Sequence, residues 1–582
     1  MSRLAAVAGL IALLAVMGVL FFADLGSVPL FSVGEPREAM QVADAFDHAN
    51  WILPLRNGTE LPSKPPLYHW LAAATALAIG RVDEWGVRLP SAVLAALTVL
   101  AVVWFGARRW DVAAGLFGGF ILATSIDFIR YARWARVDMT LTACLTAAWM
   151  AFDRAVASPI PPPLMLWTFY ISMGLAALAK GPVGLALPML VALVYLGLRG
   201  ELRRLRDLKV IPGLALAVAI PAAWYVAAIA TGGMPFVRKQ IMRENIIHFL
   251  GTGEATANES HPIYYYLNAL IMGFIPWSLF LIPLAIYLVQ IRRQPARRPY
   301  DLPLLWIAVV LAFYTAAASK RAGYIVAAYP GAAVALGAWW SRLQRARDTL
   351  SAPLRWLLYA AVGVTAALAG IVLLTLLAQA IGLDPLESIR PLLHRKDQMN
   401  IPLVREVVST HWPAALAWAA TLAASAWLLS AGARRMQWAL VFAALVLGVT
   451  ATAAVVNDAF TPRLARDRSY KPFMAETQRV AGDSDRLFFY KKFDYGAVFY
   501  ARRTIPVVDR LPESPAWLIL PDYELNRLPT AERARLTVLS RSEGTGPEGR
   551  DRLLLVWVAP GQSSPAPPNP HDPEPDPDPD PE

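Results

Sequence analysis

A chain of 582 residues that is 56% hydrophobic and only 17% charged lies outside the composition of soluble globular domains and reads as an integral membrane protein with many spans. Its net charge of +11 would suggest nucleic acid in a soluble chain; in a membrane protein basic cytoplasmic loops supply it, so no nucleic-acid partner is expected. Cys144 is the single cysteine and sits in an apolar run, which rules out an internal disulfide and leaves it a packing role.

A hydrocarbon core about 30 Å thick takes about 20 apolar residues per helix, and thirteen segments approach that rule. They lie near 5–22, 86–107, 112–126, 138–156, 163–179, 182–198, 210–230, 264–289, 303–318, 323–340, 355–378, 412–430 and 437–456. The first could pass for a signal peptide, but with so many hydrophobic segments behind it the reading is an uncleaved span. Alternate connections carry basic clusters: Arg108 and Arg109; Arg199, Arg203, Arg204, Arg206 and Lys209; Arg292, Arg293, Arg297 and Arg298; Arg342, Arg345 and Arg347; Arg434 and Arg435. By the positive-inside rule these face the cytoplasm, which puts the N-terminus inside and, after thirteen crossings, the C-terminus outside.

The first outer loop, 23–85, is long. In it "SVGEPREAM" sets Glu35, Arg37 and Glu38 just past a span, and "EAMQVADAFDHANWILPL" has apolar residues at helical spacing, as a short helix along the membrane surface would. "NGTELPSKPPLYHW" then gives a turn, a Pro-Pro break and an interfacial Tyr/His/Trp cluster. Beyond 457 the pattern changes: "RLFFYKK", "TIPVVD", "AWLIL", "LTVLS" and "RLLLVWVA" read as short strands and "KPFMAETQRVAG" as a helix, which predicts a small α/β domain over 457–560. The Pro- and Asp-rich residues 561–582 cannot bury a core and read as disordered. The expected architecture is thus an α-helical polytopic membrane domain over 1–456 followed by an outer α/β domain.

The anomaly is charge on the wrong side. "SIDFIRYARWARVDM" carries Arg130, Arg133, Arg136 and Asp138 in an outer loop, "SKRAGY" puts Lys320 and Arg321 in another, and the same face holds Lys64, Lys180, Arg243 and Glu244. Cations there oppose the orientation signal, and desolvated ionisable groups at a membrane are costly, so they are candidate functional residues; snorkelling anchors or internal ion pairs are the competing reading. Together the cations suit an anionic ligand arriving from the bilayer, such as a lipid phosphate, whose departure as a leaving group they would assist. Glu35 and Asp138 would position an acceptor, remove a proton or hold a divalent metal.

The stretches "GEPREAMQVADAF", "WILPLRNGTELPSKPPLYHWLAA", "EWGVRLPSAV", "YARWARVDMTL", "LAKGPVGLALP", "ENIIHFLG", "HPIYYYLNALIMGFIPW" and "ASKRAGYIVAAYPGAA", taken in this order, resemble the bacterial aminoarabinose transferase branch of the protein O-mannosyltransferase superfamily, membrane glycosyltransferases of the GT-C class. The likeness covers roughly the first 340 residues and continues beyond them in layout. It implies a multi-pass enzyme of the bacterial inner membrane with a periplasmic C-terminal domain. Such an enzyme takes a sugar from a polyprenyl (undecaprenyl) phosphate carrier and passes it to a periplasmic acceptor: a lipid A phosphate in this branch, protein or glycan hydroxyls in relatives. By motif the resemblance assigns Glu35 and Asp138 as the acidic catalytic positions. Lys64 falls near the carrier phosphate, Arg243 and Glu244 in the loop before "HPIYYY", Tyr265 in a carrier-binding region, His261 at a possible metal position, and Lys320 with Tyr324 in the lysine loop. Arg37 joins them as a substrate-side residue or as a partner of Glu35 or Glu38 that holds the loop. There is one departure: where such proteins commonly have Asp-Glu, this chain has Gly34-Glu35. If that Asp serves as general base in such proteins, this chain uses Glu35, recruits Glu38 or Asp138, or needs no base; a phosphate acceptor is already an anion, which favours an acceptor of that kind. A transporter or flippase would instead place ionisable residues at span midpoints within related halves, and neither is seen; for a noncatalytic scaffold the outer charges would be interchangeable.

Overall fold

A computed structural model describes residues 2–247, 261–346, 352–392, 394, 398, 401–547 and 551–560. The expected tail, 561–582, lies outside the described residues. The chain divides into two compact units, Met1–Arg468 and Ser469–Glu582.

The first unit is helical, and each of the thirteen apolar segments falls on helix. Among the described residues nine helices are long and apolar enough to cross a membrane, and two bent pairs bring the number to eleven. The pairs are Val112–Ala123 with Ile126–Arg133, bent by 66°, and Tyr265–Gly273 with Trp277–Gln290, bent by 111°. Of the remaining two segments, Val183–Leu198 is apolar but short, and Val137–Ala157 carries Asp138, Asp153 and Arg154, which dilute its hydropathy.

The helices that carry the charged residues are α1 (Arg3–Met17), α2 (Glu35–Asp47), α3 (Leu67–Ile79), α4 (Glu84–Arg109), α5 (Val112–Ala123), α6 (Ile126–Arg133), α7 (Val137–Ala157) and α8 (Pro163–Lys180). Helix α2 departs from expectation. It is covered by protein: Glu35, Pro36, Glu38, Ala39, Met40, Gln41, Val42 and Ala45 are buried, because it packs on α3, which packs on α4. Asp83 caps α4 by accepting from the Gly86 amide at 2.8 Å, satisfying a donor that the first turn leaves free. Helices α4 and α5 approach closely enough that a Cβ on Gly115 would stand 2.3 Å from the Val103 carbonyl oxygen. Such small-residue contacts drive helix association in lipid, where apolar burial alone gives no preference. One large apolar core runs through the unit, from Leu13 and Phe21 through Trp149 and Trp277 to Trp340 and Phe442.

The expected domain boundary near 457 falls within a continuous helical run, Trp438–Asp467, so the second unit starts about a dozen residues later, at Ser469. All five short strands form there: β1 (Leu487–Tyr490), β2 (Val507–Val508), β3 (Ala516–Pro521), β4 (Leu536–Arg541) and β5 (Leu553–Val558), with the helix Lys471–Ala481 where it was expected. They make one sheet in the order β2-β1-β3-β5-β4. β1 is parallel to β2 and β3, and β5 antiparallel to β3 and β4. Buried Leu518, Leu520, Leu554, Val556 and Val558 form its core, and the apolar run of β5 fits a strand with both neighbours in place.

Candidate active site

The charged residues picked out by sequence gather into distinct groups at the helix ends. The first is built on Asp138, at the start of α7 and 3% exposed. Its Oδ1 accepts from Lys180 Nζ at 2.6 Å and its Oδ2 from Arg136 Nε at 3.1 Å. Lys180, the last residue of α8, also stands 4.2 Å above the centre of the Tyr324 ring, so one ammonium serves a carboxylate and a π face. The same Arg136 donates from Nη1 to the Val33 carbonyl at 2.9 Å. That reach explains the glycine before Glu35. Gly34 has φ +100°, and a Cβ there would come 3.1 Å from Arg136 Nη1. An Asp in its place would be strained in backbone and crowd the guanidinium.

Glu35 does something other than the sequence suggests. It is fully buried, with Oε1 accepting from Arg88 Nε at 2.8 Å and the Ala135 amide at 3.0 Å. Its Oε2 accepts from Arg88 Nη2 at 3.2 Å and the Ser32 amide at 3.4 Å. Burial pushes the carboxyl up, but the Arg88 guanidinium and these donors outweigh it and hold Glu35 below the ordinary carboxylate value. A carboxylate so engaged is a poor proton acceptor in this state, and its bonds join the first loop to the segment leading to Arg136 and Asp138. Arg88 completes the clamp, donating also to the carbonyls of Leu25 at 3.0 Å, Val28 at 2.6 Å and Pro29 at 3.0 Å. Sequence reading passed over Arg88, although a cation inside an apolar span is itself the signal.

Arg37 resolves to the loop-holding alternative, its Nη2 3.1 Å from Glu38 Oε1. Glu38 also meets His69 Nε2 at 2.8 Å. Burial raises its carboxyl, while Arg37, His69 and Arg56 more than reverse that and hold it well below the ordinary value. Lys64 pairs with Glu244 at 3.1 Å, each side chain about one-fifth exposed. Beside it Glu60 takes Arg56 at 3.1 Å and Lys239 at 2.8 Å; none of these three was picked out by sequence. Arg243 is exposed and Lys320 half-buried. The Arg321 amide donates to Tyr266 Oη at 3.2 Å. His261 stacks on Tyr265, ring centres 4.2 Å apart and planes 8° from parallel.

The donor set does not fit a divalent ion. Glu35, Glu38 and Asp138 are each neutralised by a cation or imidazole, His261 is engaged in stacking, and among the described residues no three His, Cys, Asp or Glu groups converge.

The fold and the placement of these charges are those of a polytopic membrane protein with its charged groups gathered at helix ends. Comparison with known proteins narrows this. Residues 63–242 match the family model for dolichyl-phosphate-mannose-protein mannosyltransferases. The chain is similar to the undecaprenyl phosphate-alpha-4-amino-4-deoxy-L-arabinose arabinosyl transferase of Pectobacterium carotovorum strain PC1, 27% identical over 81% of this chain and 80% of that one. It is equally similar to that of Pseudomonas savastanoi pv. phaseolicola, 27% identical over 54% of this chain and 58% of the other. An uncharacterized protein of Aquifex aeolicus is 26% identical over 54% of this chain and 60% of its own length. The chain thus spans about three-fifths of the length of the first relatives it matches. It shares the fold of ArnT from Cupriavidus metallidurans, with TM-score 0.73 and 20% identity over 95% of this chain and 99% of that structure in the complex with undecaprenyl phosphate. For the apo structure the TM-score is 0.71, with 20% identity over 96% and 100%. The resemblance read from the ordered motifs is borne out.

Proposed function

We propose that this chain is a membrane glycosyltransferase that moves a sugar, aminoarabinose or a close relative, from an undecaprenyl phosphate carrier to a lipid A-type phosphate acceptor on the periplasmic side of the inner membrane. The observation that carries the reading is the buried Asp138 held between Lys180 and Arg136 beside Tyr324, with the more exposed Lys64–Glu244 pair available for exchange. The matched relatives act on such a carrier by name.

In this mechanism the acceptor oxygen attacks the anomeric carbon from the face opposite the carrier. The bond from that carbon to the carrier phosphate oxygen breaks, the bonding electrons leave with the phosphate, and the configuration inverts. Lys64 shifts from Glu244 to the departing phosphate, with Arg243 and Lys320 as further cations. Fixed positive charge aimed where negative charge develops lowers the barrier. Asp138 keeps Lys180 and Arg136 in place and orients the acceptor side. An acceptor that is already a phosphate anion requires no general base, in keeping with glycine at 34 and an occupied Glu35. Removing one charge-stabilising donor typically lowers turnover about 10²–10³-fold, so Lys64→Ala and Asp138→Asn are each expected to lose that much transfer of radiolabelled sugar from undecaprenyl phosphate while the protein stays folded. Undiminished transfer in either variant refutes the assignment. If a protein or glycan hydroxyl is sugared in place of lipid A, mass spectrometry of both fractions from cells with and without the gene will show it.

A further inference from the structure

A cavity of about 690 Å³ lies within the helical unit, and none of Lys64, Asp138, Lys180 or Tyr324 lines it. Its walls are mainly apolar side chains from α6 and the helices Ala352–Ala380, Trp412–Arg435 and Trp438–Val455. Most of its polar lining groups are already satisfied. Thr365, Thr452 and Thr461 bond to carbonyls of their own helical runs, and Arg88 is taken by Glu35 and the loop carbonyls.

Two buried atoms are not satisfied. Ser425 is 1% exposed, and its Oγ has no hydrogen-bond partner; neither has Asn457 Nδ2, which is buried at the atom. An orphaned buried polar atom costs free energy that a ligand recovers. Asn457 lies one helix length from the Arg434–Arg435 connection, at the same end as Arg130 and Arg133, which also line the cavity. Arg130 pairs with Asp127 at 3.1 Å, whereas Arg133 donates from Nη1 to the Leu20 and Ala23 carbonyls and among the described residues no carboxylate forms an ion pair with it.

From these features we infer that the cavity binds an acylated phosphoglycolipid, with its phosphate at Arg133, a linkage carbonyl on Asn457 Nδ2 and its acyl chains in the apolar body. The inference rests on the acceptor reading above and locates that acceptor's lipid portion. The occupant follows from chemistry. The Arg133 guanidinium selects an anion, an apolar interior selects hydrocarbon, and an amide donor selects a carbonyl, which acyl esters and amides carry and a polyprenyl tail does not.

The test is native mass spectrometry of the full-length protein in detergent with three probes: a hexaacylated diglucosamine bisphosphate, undecaprenyl phosphate and phosphatidylglycerol. Asn457→Leu and Arg133→Gln are expected to lower glycolipid affinity at least tenfold and leave that for undecaprenyl phosphate unchanged. If either variant fails to fold, a photo-crosslinking residue at Val364 in the otherwise unaltered chain is expected to capture the glycolipid. Loss of undecaprenyl phosphate in place of the glycolipid, capture of undecaprenyl phosphate at Val364, or glycolipid binding indifferent to both folded variants overturns the proposal. So does phosphatidylglycerol binding with the same sensitivity, since that marks an ordinary membrane lipid. Glycolipid binding without sugar transfer leaves this site standing and refutes the proposed function; transfer with indifferent binding does the reverse.

Discussion

Gly34 shows how much one backbone angle decides. At φ +100° it caps α2 and leaves room for Arg136 to reach the Val33 carbonyl. Gly34→Ala is expected to cost about 1–2 kcal/mol from the left-handed backbone and to disturb Arg136, which thermal unfolding and transfer assays on the purified variant will register. Glu35 and Glu38 set an acid limit. Burial raises both carboxyls, but Arg88 acting on Glu35, and Arg37 with His69 on Glu38, bring each below 4.5 in the folded protein. Groups lowered in this way contribute stability that is full above their unfolded value and is lost as pH falls through the folded one. Limited proteolysis of the first loop is therefore expected to accelerate as pH drops below about 4.5. Asp138 and Lys180 were legible as charges out of place, and that they meet was not, since 42 positions separate them and only the folded α7–α8 pair closes the gap. Glu35 was legible as important, but its role depends on Arg88, 53 positions away.

Among elements, α2 and α4 act as a pair because Arg88 binds both the loop before α2 and its first residue. Arg88→Met strands a buried carboxylate, and breaking a buried ion pair from one side costs about 3–5 kcal/mol. Adding Glu35→Gln is expected to restore part of that loss. Denaturation of the single and double variants gives the coupling directly; an unaffected Arg88→Met protein contradicts the clamp. Hydropathy placed helix under every apolar segment, since about 20 apolar residues leave the backbone little other choice in lipid. It did not register the 66° and 111° bends, which depend on how neighbouring helices pack. Nor did it foresee that α2 would be covered. Its apolar face suits a membrane surface or a protein neighbour equally well, and only the packing of α3 and α4 decides between them. The strands of the second unit were legible from β-branched and aromatic runs, while their order was not.

For the whole molecule, the proposed orientation is open to a direct check. Cys144 is the only cysteine, so a Cys144→Ala background gives a clean chain for single-cysteine labelling. A cysteine placed at Arg108 is expected to react with an impermeant maleimide only after the inner membrane is opened, and one at Tyr523 to react from the periplasm; the reverse result inverts the topology.

The clamp of Arg88 on three loop carbonyls and Glu35 has a consequence for catalysis in motion. Gly34, Arg136 and Asp138 are tied through Glu35 to a membrane helix, whereas Lys64 and Glu244 meet in a pair that is about one-fifth exposed. In the proposed reaction, a carrier that enters or leaves meets one braced group and one looser pair. Exchange in that proposed reaction is thus the work of a vice with one fixed jaw.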